Sequence, residues 1–386
     1  MKKGFIYSTI ALVILTFSGC GKKAPFPTEY EIGVLYSTEY KNTTRLVLLD
    51  ENMNSVYEKA LPYGYLGHCG YMNAIQKGEV LYECPQGTAT EKELGLIIGL
   101  DTLTGEVTEY DFQRVNMTDF DCDENYLYVT SNLNNVDYVE RMDQSTGQKD
   151  TIELPFYVSD IAVNDGRLYG FGENMNAGGK VVFYLFDFET LQAIEIADLS
   201  GTMKEPAPFI ASYKNKMYWA QGDRLYCLDT ETKKIDSILL THEYGFNVQV
   251  KDQYLWLVCT NIYEEADSYV LVFDCEREIF VKEYSFPYSV QQLEITGNAL
   301  YVGSQEFLEK YTFGQQGDIT FVKRYDYELS GEYYLGGFYV IDDSVYVPAD
   351  LEDLGIEGME SMTDAELNEE LIRRADEMEV LPDKKE

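Results

Sequence analysis

One short pattern recurs along almost the whole chain of 386 residues, and it constrains the fold more than any other feature. Each copy is an apolar residue followed by an aromatic one, and successive aromatic members are 38 to 49 residues apart. The eight copies are Leu35-Tyr36, Leu81-Tyr82, Leu127-Tyr128, Leu168-Tyr169, Met217-Tyr218, Leu255-Trp256, Leu300-Tyr301 and Val345-Tyr346. A period of this length indicates one supersecondary unit in tandem, whose copies must stack to bury their apolar faces.

The residues around each pair repeat as well. An alternating strand and a tight turn come before the pair, as at Asp165-Gly166, and a further strand follows it. In six copies that later strand ends in an aspartate: Asp50, Asp101, Asp143, Asp187, Asp229 and Asp274. An aspartate there can accept hydrogen bonds from the amides of the next turn, so we predict a structural role for all six.

A unit of about 40–50 residues with four strands resembles the blade of a β-propeller. The pattern is similar to quinoprotein-type and tryptophan-aspartate-repeat propellers, above all in the segment 224–233, Arg-Leu-Tyr-Cys-Leu-Asp-Thr-Glu-Thr-Lys. The resemblance covers about residues 31–347 and implies an all-β fold of four-stranded antiparallel blades. The recurrent tryptophan of quinone-binding enzymes is absent, since the chain has only Trp219 and Trp256. Quinone chemistry is therefore not expected.

The number of blades follows from how the units divide the chain. Six complete units start near Tyr71, Thr118, Ser159, Pro208, Phe246 and Gln291. The amino-terminal piece lacks a first strand, which residues 337–347 can supply. We therefore predict a propeller domain over residues 31–348, with seven blades closed by strands from both chain ends, which removes open sheet edges. Because both end pieces contain a candidate second strand, eight blades remain the alternative.

The amino terminus has the features of an export signal. Two lysines precede a thirteen-residue apolar run, 5–17, which is followed by Ser18, Gly19 and Cys20. The run is too short to span a bilayer, and its charged start and small residues are typical of a secretory signal. The junction resembles the bacterial lipoprotein signal. This implies a signal peptide at 1–19, acylation of Cys20 with chains such as palmitate, a lipidated spacer at 20–30 and a location on the outer side of the cell membrane.

The charge balance limits the possible partners. The chain has 67 acidic and 30 basic residues, a net charge of −37, and only two histidines. Nucleic acid is excluded as an expected partner because binding to phosphates needs basic patches. A surface this acidic repels its own copies, so we expect a monomer. Two histidines leave little imidazole for catalysis or metal binding.

The remaining cysteines and the acidic tail allow more than one interpretation. Six cysteines follow Cys20 without a C-x-x-C motif, and we expect mainly buried free thiols, with Cys69 and Cys84 as the best candidates for a disulfide. Residues 349–386 form an acidic tail in which a capping box at 363–366 predicts a short helix. That helix either rests on the propeller or binds a partner.

Candidate binding residues come from aligning the units on the repeated pair. The alignment places five polar residues on first strands, close to the channel mouth where the longer loops gather: Asn73, Asp119, Asp160, Asn247 and Gln292. We predict that they bind ligand, with Asp119 and Asp160 as possible calcium ligands. The other interpretation is a hydrated polar channel without a specific ligand.

Three functions fit this sequence. The favoured one is a membrane-anchored lipoprotein that binds a protein, peptide or glycan through its loops. The second is a scaffold for assembling envelope proteins, and the third is a metal-dependent hydrolase or lactonase of the propeller type. No catalytic residue is assigned, and a binding protein is favoured over an enzyme.

Overall fold

The computed structural model describes residues 25–341, apart from 68–73, 87–93, 135, 175–178, 204–205, 208, 244, 262–265, 315–316 and 330. The predicted signal segment with Cys20, the residues Cys69 and Asn73, and the acidic tail lie outside this part of the chain, so the inferences about them stay predictions. Across the described residues, no helix combines the length and the apolar character needed to cross a membrane.

The described strands form seven antiparallel sheets of four strands each, arranged as blades around a ring. Blade 1 contains β1 (Ile32–Thr38), β2 (Thr44–Leu49) and β3 (Ser55–Leu61), and is completed by β28 (Tyr333–Val340). Blade 2 contains β4 (Ile75–Lys77), β5 (Val80–Glu83), β6 (Leu96–Asp101) and β7 (Val107–Asp111). Blade 3 contains β8 (Met117–Cys122), β9 (Tyr126–Leu133), β10 (Val136–Asp143) and β11 (Lys149–Leu154).

The other four blades repeat this order. Blade 4 contains β12 (Tyr157–Asn164), β13 (Arg167–Asn174), β14 (Lys180–Asp187) and β15 (Gln192–Asp198). Blade 5 contains β16 (Ala211–Tyr213), β17 (Lys216–Gln221), β18 (Arg224–Asp229) and β19 (Ile235–Leu239). Blade 6 contains β20 (Gly245–Lys251), β21 (Tyr254–Cys259), β22 (Ser268–Asp274) and β23 (Ile279–Phe286). Blade 7 contains β24 (Gln292–Ile295), β25 (Ala299–Gly303), β26 (Phe307–Phe313) and β27 (Ile319–Asp326).

The two ends of the domain close the ring. Strand β28 pairs antiparallel with β1, with Val340 opposite Ile32 and Gly337 opposite Leu35. The prediction of seven blades closed from both ends is therefore confirmed. The closing strand begins at Tyr333, four residues before the predicted start at Gly337, because the pairing with β1 continues through a bulge as far as Thr38.

The core lies between the blades. Seven apolar clusters fill the seven interfaces, and the aromatic members of the first seven repeated pairs are at most 7% exposed. Two glycines let the closing strand approach its neighbours. A Cβ atom at Gly303 would lie closer than 3.0 Å to the ring of Phe338, and one at Gly33 would meet the ring of Tyr339 in the same way. The repeated pair thus supplies the aromatic surface by which blades stack.

The two ends of each blade carry different connections between strands. The turns between first and second strands contact the turns between third and fourth strands, as in the hydrogen bond from the Thr102 amide to the Glu79 carbonyl, 2.8 Å. We call this end of the ring the turn face and the opposite end the loop face. The predicted aspartate turns are confirmed: Asp101 Oδ1, for example, accepts hydrogen bonds from the amides of Leu103 and Thr104 at 2.9 and 2.8 Å.

Candidate functional site

Four of the five predicted binding residues lie on first strands, which contact one another around the ring axis. Asp119 is on β8, Asp160 on β12, Asn247 on β20 and Gln292 on β24. Asn73 lies outside the described residues. The structure brings Asp119 and Asp160 together, since β8 and β12 belong to neighbouring blades and pack side by side.

Several of these polar side chains bind the backbone of the next blade. The Ile161 amide donates to Asp119 Oδ2 at 2.7 Å, and the Val163 amide donates to Asp121 Oδ2 at 2.6 Å. Each bond satisfies an inward-facing amide that its own sheet leaves without a partner. The polar residues of β8 therefore join blade 3 to blade 4.

Gln292 makes the corresponding link at the closure of the ring. Its side-chain amide donates to the Phe338 carbonyl at 2.6 Å and accepts from the Phe338 amide at 3.1 Å. The sequence carried no signal for these links, because the alignment of repeats defines positions within a blade and not the register between blades. Whether the same residues also contact a ligand stays a prediction.

The carboxyl groups of Asp119 and Asp160 form a buried pair, each residue being 8% exposed. Burial raises the pKa of both groups above the usual range, since it disfavours the charged form. The charge of Asp119 raises the pKa of Asp160 further, as does the hydrogen bond between the two side chains. The raised pKa values favour a protonated form of the pair, which removes part of the repulsion between the two carboxyl groups.

A calcium ion would need more ligands than this pair offers. Calcium takes six to eight oxygens and binds ionised carboxylates, whereas Asp119 Oδ2 is already bonded to an amide. Asp160 Oδ2 is buried and has no hydrogen-bond partner among the described residues. Within the same part of the chain, no group of three or more acidic, histidine or cysteine side chains converges as a metal site. The pair therefore does not form a calcium site by itself, and calcium binding stays a prediction that requires further ligands.

One cavity on the ring axis lies at the turn face, at the opposite end from the predicted mouth. It has a volume of about 350 Å³, and its wall is formed by residues at the ends of the first strands of four blades. We call it the channel cavity, and its polar lining residues are Gln76, Gln249, Lys251, Glu294 and Thr296. The repeat pattern pointed instead to the face with the longest loops, so a cavity at the ends of the inner strands was not predicted.

The lining combines one cation, one titrating acid and two amides. The position of Glu294 inside the channel raises its pKa to about 7, while the hydrogen bond from Gln292 and the charge of Lys251 act in the opposite direction. Gln292 Nε2 donates to Glu294 Oε1 at 3.2 Å, and Gln249 Nε2 donates to the Leu293 carbonyl at 3.2 Å. One hydrogen bond from Gln292 thus holds Glu294 at the wall of the cavity.

The described cysteines do not add a reactive site. Cys122, Cys227, Cys259 and Cys275 are free, as expected, and Cys84 is free as well, although it was a candidate for a disulfide; all but Cys227 are buried. Burial raises the pKa of each thiol above its ordinary value, so these cysteines are protonated at neutral pH. Cys69, the predicted disulfide partner of Cys84, lies outside the described residues.

Seven four-stranded antiparallel blades, closed by strands from both ends of the chain, make this protein a seven-bladed β-propeller. It is similar to two solved structures, putative 6-phosphogluconolactonases from Bacteroides fragilis and Bacteroides uniformis, each with a TM-score of 0.54. The sequences are 13% and 10% identical, and the matches cover 83% and 81% of this chain and all of the other chains. No family model matches the sequence, and no curated protein matches it either. At this identity the likeness shows the fold alone.

Proposed function

We propose that this protein is a lipid-anchored binding protein on the outer side of the cell membrane, and that it holds a polar ligand in the channel cavity. The observation that carries the proposal is the cavity itself, about 350 Å³ on the ring axis with Lys251, Glu294 and two glutamines in its wall. Small-molecule sites are typically concave spaces of about 300–1,000 Å³ with a few convergent polar groups.

The chemistry of the wall favours a glycan or the end of a peptide. Lys251 donates to oxygens and attracts negative charge, while the amides of Gln76 and Gln249 can both donate and accept. Glu294 accepts from hydroxyl or ammonium groups when ionised and donates when protonated. Sugars and peptide ends carry closely spaced donors and acceptors of this kind. The loop face, with Asn247, remains a second predicted surface for a larger partner.

Replacing Lys251 with methionine is expected to weaken ligand binding at least tenfold, because the cavity loses its only charged donor among the described lining residues. The mature protein is first screened by thermal shift against monosaccharides, cell-wall fragments and dipeptides, and the best compound is measured by calorimetry. Lys41→Met, at a lysine side chain that is 66% exposed, is the matched control and should bind like the wild type. Equal affinity in all three proteins would place the ligand elsewhere, and Asn247→Ala would then test the loop face.

Glu294→Gln is expected to remove the pH dependence of binding between pH 6 and 8. The folded pKa of Glu294 lies near 7, so its carboxyl changes from a donor to an acceptor across this range. Calorimetry of wild type and variant at pH 6, 7 and 8 measures the effect. A wild-type affinity that is constant with pH would mean that Glu294 does not contact the ligand.

The hydrolase alternative is tested in the same screen. The two similar structures are described as putative 6-phosphogluconolactonases, so 6-phosphogluconolactone is included among the compounds. Its hydrolysis above the spontaneous rate, with metal added and withheld, would favour an enzyme over a binding protein.

Cys20→Ala is expected to release the protein from membranes or to leave its signal peptide uncleaved. The reason is the charged start, short apolar run and Ser-Gly-Cys junction of the sequence. Membrane fractionation and intact mass measure the outcome, with Cys227→Ala as the control because that cysteine lies within the propeller. Unchanged fractionation and mass in Cys20→Ala would contradict the proposed anchor.

A further inference from the structure

The first described residues leave the propeller at its turn face. Phe26 lies against the turn that ends at Gly105, where an added Cβ would be closer than 3.0 Å to its ring. That turn joins the third and fourth strands of blade 2, and such turns define the turn face. Phe26 therefore lies on the side of the ring on which the channel cavity opens.

Aromatic contacts fix Phe26 in this position. Its ring packs edge-on against Tyr57 of blade 1 and against Tyr30, with centroid distances of 5.4 and 5.9 Å. The Tyr30 hydroxyl donates to the Thr102 carbonyl in the same turn of blade 2, and lies 3.2 Å from the hydroxyl of Tyr339 on the closing strand. The chain is thus attached to the rigid ring as far back as Phe26.

Only a short length of chain separates Phe26 from the proposed lipid. Six residue steps join Cys20 to Phe26, and a fully extended chain covers at most about 20 Å in that number of steps. This length is less than the height of a blade, since an eight-residue strand such as β10 is about 26 Å long. If the loop face lay flat against the bilayer, Phe26 would stand about one blade height from the surface, which is farther than the tether reaches.

We propose that the turn face, with the mouth of the channel cavity, is held toward the membrane, so that the cavity takes its polar ligand from the bilayer surface. The inference rests on the proposed anchor at Cys20. The net charge of −37 repels an anionic bilayer over a Debye length of about 8 Å, so the domain stands off the surface within the reach of its tether. The loop face is then left free toward the outside.

The test compares two positions at opposite ends of blade 3. Gln148 is exposed in a turn of the turn face, and Leu133 is exposed where β9 ends at the loop face. Each is replaced in turn by an azide-bearing amino acid and labelled with a donor dye, which leaves the cysteines untouched. The full-length lipidated proteins are placed in vesicles of phosphatidylethanolamine and phosphatidylglycerol that contain an acceptor lipid. We expect clearly more energy transfer from position 148 than from position 133.

A longer tether is the matched control. Thirty glycine and serine residues inserted between Gly21 and Lys22 should bring the two transfer efficiencies close to each other, because such a linker reaches about 30 Å on average. Equal or reversed efficiencies in the original protein would overturn the proposed orientation. An unchanged difference in the long-tether protein would show that the tether does not set it. A wild-type protein that does not bind vesicles would instead overturn the anchor, and with it this inference.

Discussion

Ending the chain after Gly331 is expected to yield protein that is insoluble or unfolded. This truncation removes β28, whose residues Leu335, Phe338 and Val340 fill the core between blades 7 and 1. Tyr339 of the same strand belongs to the core between blades 1 and 2. Loss of one strand therefore opens two interfaces and leaves β1 as an unpaired apolar edge. Soluble yield and thermal melting measure the effect.

A truncation after Asp350 is the control, because it removes the acidic tail and keeps β28; it should melt like the full chain. A finer variant, Phe338→Ala, avoids complete loss of folding and should lower the free energy of unfolding by about 3–5 kcal/mol. Phe338 is 1% exposed, and its ring lies against Gly303, which has no side chain. Few neighbouring atoms can therefore move into the space that the ring leaves. If the protein ending at Gly331 melts like the one ending at Asp350, closure through β28 is not what holds the ring together.

Asp119→Asn is expected to stabilise the propeller at pH 8 by about 1–3 kcal/mol. The pKa of Asp119 is raised in the folded state, so the fold retains a proton between the unfolded and the folded pKa, and above the folded pKa it has to bury a charge. Such a group lowers the free energy of unfolding as the pH rises from the unfolded pKa, near 4, through the folded pKa. Asparagine keeps an acceptor for the Ile161 amide and adds a donor toward Asp160, and it does not ionise.

The effect should be small at pH 4, close to the unfolded pKa, where the folded carboxyl is protonated and the unfolded one is about half protonated. Denaturant unfolding at pH 4, 6 and 8 gives the three free energies. Asp143→Asn is the control with the opposite sign: hydrogen bonds from Ser145 and Thr146 lower the pKa of Asp143, so its contribution is present at pH 8 and is lost on acidification. A gain from Asp119→Asn that does not change with pH would mean that the buried proton is not the cause.

The sequence was sufficient to predict the fold because the information is repeated. The seven apolar-aromatic pairs within the described residues each define a blade independently, so an error in one copy is corrected by the others. The turn aspartates were predictable as well. Asp229, for example, accepts hydrogen bonds from the amides two and three residues ahead, so its role depends only on the neighbouring sequence.

The candidate site was less predictable because it depends on how different blades meet. Asp119 and Asp160 could be assigned to first strands, but their bonds to amides of other blades depend on a register that no repeat encodes. The channel cavity likewise arises where the ends of four inner strands fail to fill the axis, and its residues Lys251 and Glu294 look like ordinary strand-end polar residues in the sequence.

Closure by β28 also bears on the proposed export of the chain. Ile32 pairs with Val340, about 300 residues later, so the proposed export would deliver every other described strand before the one that completes blade 1. Contacts of such long sequence separation form late, because much chain entropy must be lost before these contacts stabilise the fold. On the proposed export route the ring would therefore stay open until β28 emerges, and that strand would then convert six blades and a fragment into a closed ring.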